Sequence, residues 1–313
     1  MPPSLVAVTG ATGFLGRRLV PALIARGWRV RVLARAARPG LWGAATPDIT
    51  VGDISQSTTL RDLVSGADAA IHVAGLIKAT DRQAFFAVNE TGARRFAEAA
   101  RAANLSRVIQ VSSLAAREPR LSDYAASKRA GEESARAILN DRLTVIRPPA
   151  IYGPGDRETL ALFQLAGWSP ILPIPESAAT RLALAHVDDV VACLIDRLER
   201  PWTPGVFALG GARPGGYGWR EIFATAADAM GRSPRLARVP PWLLKGAGAA
   251  AETIGRLRGA PAIFNRGKVR ELLHADWSVA EGELPPGPRA ACVDLPVGFA
   301  GTVAWYRARG WLP

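Results

Sequence analysis

The chain has 313 residues, 49% hydrophobic and 21% charged, a globular composition that excludes a largely disordered or fibrous chain and leaves room for one large domain or two smaller ones. Its formal charge of +12 could attract nucleic acid, yet only four of the 39 basic residues are lysines, no tight basic run occurs and no nucleic-acid-binding module is recognisable, so a nucleic-acid partner is set aside. By halves, residues 1–150 carry a net +9 and residues 151–313 a net +3.

In chain order, Leu5–Thr9 is an apolar run of strand type, and Phe14–Arg26 follows with helical spacing through Leu15, Leu19, Leu23 and Ile24. Trp28–Ala34 alternates with period two. A helical stretch near Thr58–Ser65 leads to an apolar strand at Ala69–Ala74, and Arg82–Ala103 is helical. Arg107–Ser112 reads as a strand, Ser122–Leu139 as a helix and Leu143–Arg147 as a strand. Strands alternating with helices across short connections imply an α/β fold, a Rossmann-type doubly wound parallel sheet over residues 1–150.

Residues 151–313 have a different texture and read as a smaller, mixed substrate lobe, packed on the first and partly interleaved with it. Six prolines, from Pro148 and Pro149 just before it to Pro175, break up the region Ala150–Glu176, which predicts mostly loop with one short helix. Helices are expected at Val187–Glu199, Trp219–Met230, Pro241–Arg258, Lys268–Leu273 and Phe299–Arg309, with a strand at Val206–Leu209. Seven of the nine tryptophans lie in this half.

Cys193 and Cys292 stand 99 positions apart and the three histidines are scattered, which argues against a disulfide framework and a metal site. No run reaches the roughly 18 to 20 apolar residues that span a bilayer. With no signal-peptide pattern at the start, the chain reads as cytoplasmic.

The chemistry begins at Thr9-Gly10-Ala11-Thr12-Gly13-Phe14-Leu15-Gly16, where the first strand joins the first helix. Gly10 permits a tight turn, Gly13 lets a pyrophosphate approach the backbone, and Gly16 allows close packing of helix on strand. The helix start, through Thr12, Phe14 and Leu15, then offers free N–H groups and a positive dipole end. At the end of the second strand, a carboxylate would select the ribose 2′-hydroxyl of NAD. Here stand Arg35, 19 positions after Gly16, and Arg38, with no acid between them. Arginine suits a 2′-phosphate, so NADP(H) is the preferred cofactor and NAD(H) the alternative.

Ser113 ends the strand at Arg107–Ser112. Tyr124 and Lys128 are four apart and share one face of a helix. An ammonium beside a phenol stabilises phenolate, which fits the tyrosine for proton transfer with a carbinol oxygen, and a nearby serine hydroxyl can orient a carbonyl.

These motifs resemble the extended short-chain dehydrogenase/reductase family, which includes NAD(P)-dependent epimerases and dehydratases, 3β-hydroxysteroid dehydrogenases and dihydroflavonol reductases. The likeness extends through Gly52-Asp53-Ile54, His72-Val73-Ala74-Gly75, Val88-Asn89, Val111-Ser112-Ser113, Arg147–Gly155 and His186–Val190. It implies that Asp53 and Ile54 contact the adenine, and that Ala74 and Gly75 line the ribose and nicotinamide side. It further implies that Ser112, Pro148, Ala150 and Ile151 lie along the cofactor. Tyr124 would be the acid/base, Lys128 the ligand of the nicotinamide ribose and Ser113 the polarising hydroxyl. His72 reads as a strand residue and His186 as a loop anchor. Homodimers are a family expectation, although neither Arg82–Ala103 nor Ser122–Leu139 shows a distinct pairing pattern.

In one place the chain departs from the sugar-modifying members. Ser113 and Tyr124 are only 11 apart, and Arg117-Glu118-Pro119 stands where those members have a longer segment with a Tyr-Gly element. That departure and the apolar second half favour a ketone/secondary-alcohol oxidoreductase acting on a hydrophobic, lipid- or steroid-like small molecule. A nucleotide-sugar epimerase or dehydratase is the alternative, and a non-catalytic nucleotide-binding accessory subunit the third reading. For the helix Pro241–Arg258, flanked by Lys245, Arg256 and Arg258, two readings stand: a core helix with a solvated basic edge, which is favoured, or peripheral contact with the inner face of a membrane.

Overall fold

A computed structural model describes residues 4–38, 40–175, 180–258, 264–287 and 290–313; Glu176 and the side chain of Arg256 lie outside the described residues. The elements run β1 (Leu5–Thr9), α1 (Phe14–Ala25), β2 (Arg29–Ala34), β3 (Asp48–Val51), α2 (Ser57–Val64), β4 (Ala69–His72), α3 (Arg82–Phe86), a π-helical turn (Ala87–Gly92), α4 (Ala93–Ala102), β5 (Val108–Val111), α5 (Asp123–Leu139) and β6 (Leu143–Arg147). They continue with β7 (Ala150–Tyr152), α6 (Leu160–Trp168), β8 (Ile171–Pro175), β9 (Arg181–Leu182), β10 (Leu184–His186), α7 (Val187–Glu199), β11 (Gly205–Ala208), α8 (Trp219–Met230), β12 (Arg235–Val239), α9 (Pro241–Leu257), α10 (Arg266–Leu273), β13 (Asp276–Trp277) and α11 (Leu295–Ala308).

The chain divides into two compact units. One holds residues 1–147 and 191–207, the other 148–190 and 208–313. In the first, seven strands form a sheet in the order β11-β6-β5-β4-β1-β2-β3, with the five successive pairs from β6 to β3 all parallel. β1, β4 and β5 are buried along their whole length because helices cover both faces of the sheet, and their sequences are accordingly mostly apolar, with Thr9, His72 and Gln110 the buried polar exceptions. Leu60, Leu63, Phe96, Ala100, Val108 and Leu139 belong to one core cluster, which ties α2, α4 and α5 to that sheet.

One strand here escapes the sequence reading: β3 is an exposed edge strand with polar residues. β11, expected as a strand at Val206–Leu209 in the second lobe, is present and closes the opposite edge of the first unit's sheet. The helix expected over Arg82–Ala103 is interrupted by the π turn, which turns Asn89 inward.

The second unit packs Tyr152, Phe163, Phe299 and Tyr306 into an edge-to-face aromatic core, against which Trp219, Trp305 and Trp311 lie half-buried. The region Ala150–Glu176, read as mostly loop, carries β7, α6 and β8. Pro173 and Pro175 are accommodated because β8 pairs only with β12, so their missing N–H groups interrupt no central ladder. β12 has no counterpart among the sequence expectations either.

Candidate functional site

The strand order reverses between β1 and β4, the point where an open α/β sheet leaves a crevice at its carboxyl edge. Gly10, directly after β1, has φ +69° and sits so close to the loop after β4 that a Cβ there would lie 2.5 Å from the Ala74 nitrogen. A Cβ on Gly16 would lie 2.3 Å from the Gly10 carbonyl oxygen. Only glycine fits either place. Gly13 caps α1 with no side-chain hydrogen bond and no acid in the first turn, which leaves the helix's leading N–H groups available to an anion. Thr12 is half-buried, while Leu15 faces the core and can contribute only its backbone. Trp42, which sequence reasoning passed over, is buried and donates its indole N–H to the Ala11 carbonyl at 3.1 Å, bracing the glycine loop from the side.

Arg35 and Arg38 are exposed just past β2. Past β3, Asp53 accepts a hydrogen bond from the Ser55 amide at 2.9 Å, which together with the charge of Arg35 holds its carboxyl below the ordinary value. Ile54 leans on the π turn at Gly92. Past β4, Thr9 Oγ1 accepts from the Ala74 amide at 3.3 Å and is hydrogen-bonded to His72 Nδ1 at 2.9 Å. Burial, and then the charge of Lys128, push His72 down to about 3, so the imidazole is neutral and serves as a strut.

The second cluster stands at the end of β5. Ser112 is buried, and among the described residues its hydroxyl oxygen has no hydrogen-bond partner. Ser113 Oγ caps a short 3-10 turn by accepting from the Ala115 amide at 3.2 Å. The N-cap Ser122 starts α5 by accepting from the Ala125 amide at 3.0 Å, and this sets Tyr124 in the first helical turn, half-buried, with its ring 6.1 Å from that of Phe85. One turn later Lys128 is buried and donates to the Val111 carbonyl at 2.9 Å, pinning α5 to the end of β5. Burial pulls its ammonium down to about 8, against the opposing influence of Glu132.

Two further groups shape this cluster. Asn89 accepts from the Leu76 amide at 2.7 Å and donates to the Leu76 carbonyl and to Ser127 Oγ, both at 2.9 Å. A methyl on Gly75 would lie 3.4 Å from both Asn89 Oδ1 and Lys128 Nζ, so the loop after β4, the π turn and α5 converge there. Glu132, 2% exposed, receives two hydrogen bonds from Arg147, at 2.8 and 2.5 Å. Its spacing, four residues past Lys128 on one helix face, was the available signal in the sequence. Pro148, Ala150 and Ile151 belong to the second unit: Pro148 is buried, and Ala150 and Ile151 lie in β7, in register with Leu184 and Ala185 of β10. There the His186 ring packs edge-on against Tyr152, and its Nδ1 accepts from the Asp188 amide at 3.3 Å, which anchors the start of α7.

Among the described residues no group of histidine, cysteine and acidic side chains is arranged to hold a metal, and no helix is long and apolar enough to cross a membrane. The glycine cradle fits a dinucleotide pyrophosphate, because the places where a side chain would intrude are the ones that carry none.

Comparison with known proteins agrees with this geometry. The family model described as NAD dependent epimerase/dehydratase matches residues 6–210. A protein named ceramide reductase from Caulobacter vibrioides is 49% identical, over 99% of this chain and 96% of its own. Sterol demethylase protein B from Methylococcus capsulatus is 30% identical over 97% and 99%. Among solved structures, a dTDP-glucose 4,6-dehydratase from Streptomyces venezuelae with NAD and TYD bound superposes with a TM-score of 0.74 at 22% identity, covering 98% of each chain, a likeness of fold. The chain therefore belongs to the NAD-dependent epimerase/dehydratase family, within the extended short-chain dehydrogenases/reductases, and is an NAD(P)-dependent oxidoreductase.

Proposed function

We propose that this oxidoreductase uses NADPH to reduce a ketone to a secondary alcohol on a long-chain, amide-bearing lipid of the ceramide type. The observation that carries the reading is near-half identity along almost the whole chain to a protein named ceramide reductase, with Ser113, Tyr124 and Lys128 all present at the end of β5 and the start of α5. NADPH is the proposed donor because the end of β2 presents Arg35 and Arg38 where a carboxylate would select NAD.

The cofactor would rest its pyrophosphate on Gly10, Thr12, Gly13 and the leading amides of α1. Its adenine would lie by Asp53 and Ile54, and its ribose and nicotinamide along Ala74, Gly75, Ser112 and Lys128. When bound, it supplies the hydride. Ser113 holds the substrate oxygen by its hydroxyl, and Tyr124 donates the proton that completes the alcohol. Lys128, charged at neutral pH, favours the resulting phenolate, and Glu132 with Arg147 keeps a counter-charge one turn away. The proposal places the chain in the cytoplasm, where NADPH is supplied.

Tyr124→Phe is expected to lower ketone reduction by about 10²- to 10⁴-fold while NADPH still binds. Turnover near the wild-type rate would remove Tyr124 from the mechanism. A nucleotide-sugar epimerase would instead rearrange its substrate with no net NADPH oxidation.

A further inference from the structure

The outward face of α9 carries no charged residue and is apolar apart from Thr253, whose hydroxyl is bonded back to the Ala249 carbonyl. This 17-residue helix rests its inner side on α10: Gly248 is buried, and a Cβ there would lie 2.6 Å from Val269 Cγ2. At about 100° per residue, the opposite arc carries Trp242, Leu243, Ala250, Ile254 and Leu257, with Gly246, Ala247 and Thr253 between them and no charged residue. The large side chains on this arc are open to solvent, with Trp242 71%, Leu243 48%, Ile254 48% and Leu257 83% exposed. Ordinary surface helices show the reverse pattern, with apolar residues turned inward. The polar groups stand aside: Lys245 and Arg258 flank the arc, and Glu252 is directed to the amide of Arg266.

The surroundings are cationic. Residues 231–258 contain Arg232, Arg235, Arg238, Lys245, Arg256 and Arg258 against the single acid Glu252, a net +5 from six bases and one acid. The ribbon that feeds α9 repeats the composition at its far end, where exposed Ile171 is in register with exposed Arg235 and Trp168 is 69% exposed nearby in sequence. Exposed tryptophans, an apolar helix face about 25 Å long and flanking cations are what an interfacial helix needs to lie flat among anionic headgroups. At 17 residues the helix lies rather than spans.

We infer that the outward face of α9 is a docking surface for an anionic lipid bilayer, with Trp242, Leu243, Ile254 and Leu257 entering the headgroup–acyl boundary and Lys245 and Arg258 meeting the phosphates. Of the two readings the sequence offered for this helix, a solvated basic edge accounts for the cations and leaves the apolar arc unexplained. The inference stands on the pattern of α9 and does not require the ketone substrate to be a ceramide.

The test is sedimentation of the full chain with vesicles of phosphatidylcholine alone and of phosphatidylcholine with phosphatidylglycerol. The wild type is expected to sediment with the anionic vesicles, less as salt is raised, with a blue shift of tryptophan emission. The variant Leu243→Glu/Leu257→Glu is expected to partition about tenfold less or weaker still, with its melting temperature and NADPH affinity unchanged, since both side chains are largely exposed. Leu257→Ser serves as a milder variant with the same sign. A wild type that stays in the supernatant with both vesicles overturns the inference, as does a double variant that still sediments. A wild-type dimer that the double variant splits, without vesicle binding, assigns the face to a second copy instead. Failure of the ceramide reading would leave every one of these outcomes unchanged.

Discussion

Arg35 and Lys128 carry distinct parts of the proposed chemistry, and each can be separated by measurement. Arg35 is exposed and sits within electrostatic reach of Asp53, so it can accept a 2′-phosphate without any rearrangement of the fold. Arg35→Asp is expected to weaken NADPH binding by at least about tenfold and to improve NADH relative to it, read as the ratio of kcat/KM for the two cofactors. An unchanged ratio would assign the 2′-phosphate to other residues. Lys128 gives a pH signature. Because burial brings its ammonium down to about 8, its charge is largely present at neutral pH and is lost as pH rises through that value. NADPH affinity of the free enzyme is therefore expected to fall several-fold above about pH 8, and fluorescence titration should show that slope in the wild type and not in Lys128→Met. The same depression has the opposite sign for folding. Between the folded value and the unfolded value near 10.5 the unfolded chain binds more protons, so this group's contribution to stability improves with rising pH.

At the scale of elements, the site depends on how closely α5 approaches the π turn. A Cβ on Gly131 would lie 2.0 Å from the Asn89 carbonyl oxygen, a backbone atom that cannot swing away as a side chain would. Gly131→Ala should push α5 off the π turn and shift Lys128 and Tyr124 with it. A loss of about 1–3 kcal/mol in urea unfolding is expected, together with a drop in turnover beyond what unfolding explains. Wild-type stability would mean that the two elements tolerate separation. This contact illustrates what a sequence shows and conceals. The glycine loop and the Tyr124–Lys128 pair were legible because local spacing defines them. The strands of the first unit were legible where both faces are buried and the residues are mostly apolar. The π turn was not, since it adds a residue to an otherwise regular helical pattern. Trp42 was not, since its partner Ala11 is distant in the chain; Glu132 could have been found from its spacing to Lys128, but its pairing with Arg147 arises only in the folded sheet.

For the whole molecule, the alternation of strand and helix predicted the parallel sheet, whereas the second unit was harder to read. Its β8 contains two prolines and pairs with a single strand, so it lacks the apolar run that marks a central strand. β11 returns to the first sheet after an excursion of the chain through the second unit, a topology no local pattern encodes. The seven tryptophans of residues 151–313 divide by environment: Trp219, Trp277, Trp305 and Trp311 pack into or against the interior, Trp202 donates its indole N–H to the Asp141 carbonyl, and Trp168 and Trp242 remain open to solvent. The central claim joins cofactor, catalytic pair and lipid substrate, and one assay addresses them together. Purified protein would be given NADPH and a long-chain 3-keto-ceramide dispersed in detergent, and loss of NADPH absorbance would be followed alongside product mass. The account predicts NADPH oxidation matched mole for mole by a product heavier by two hydrogens, with NADH a poorer donor. Silence with the keto lipid in both reaction directions, alongside interconversion of a nucleotide sugar without net NADPH oxidation, would contradict it.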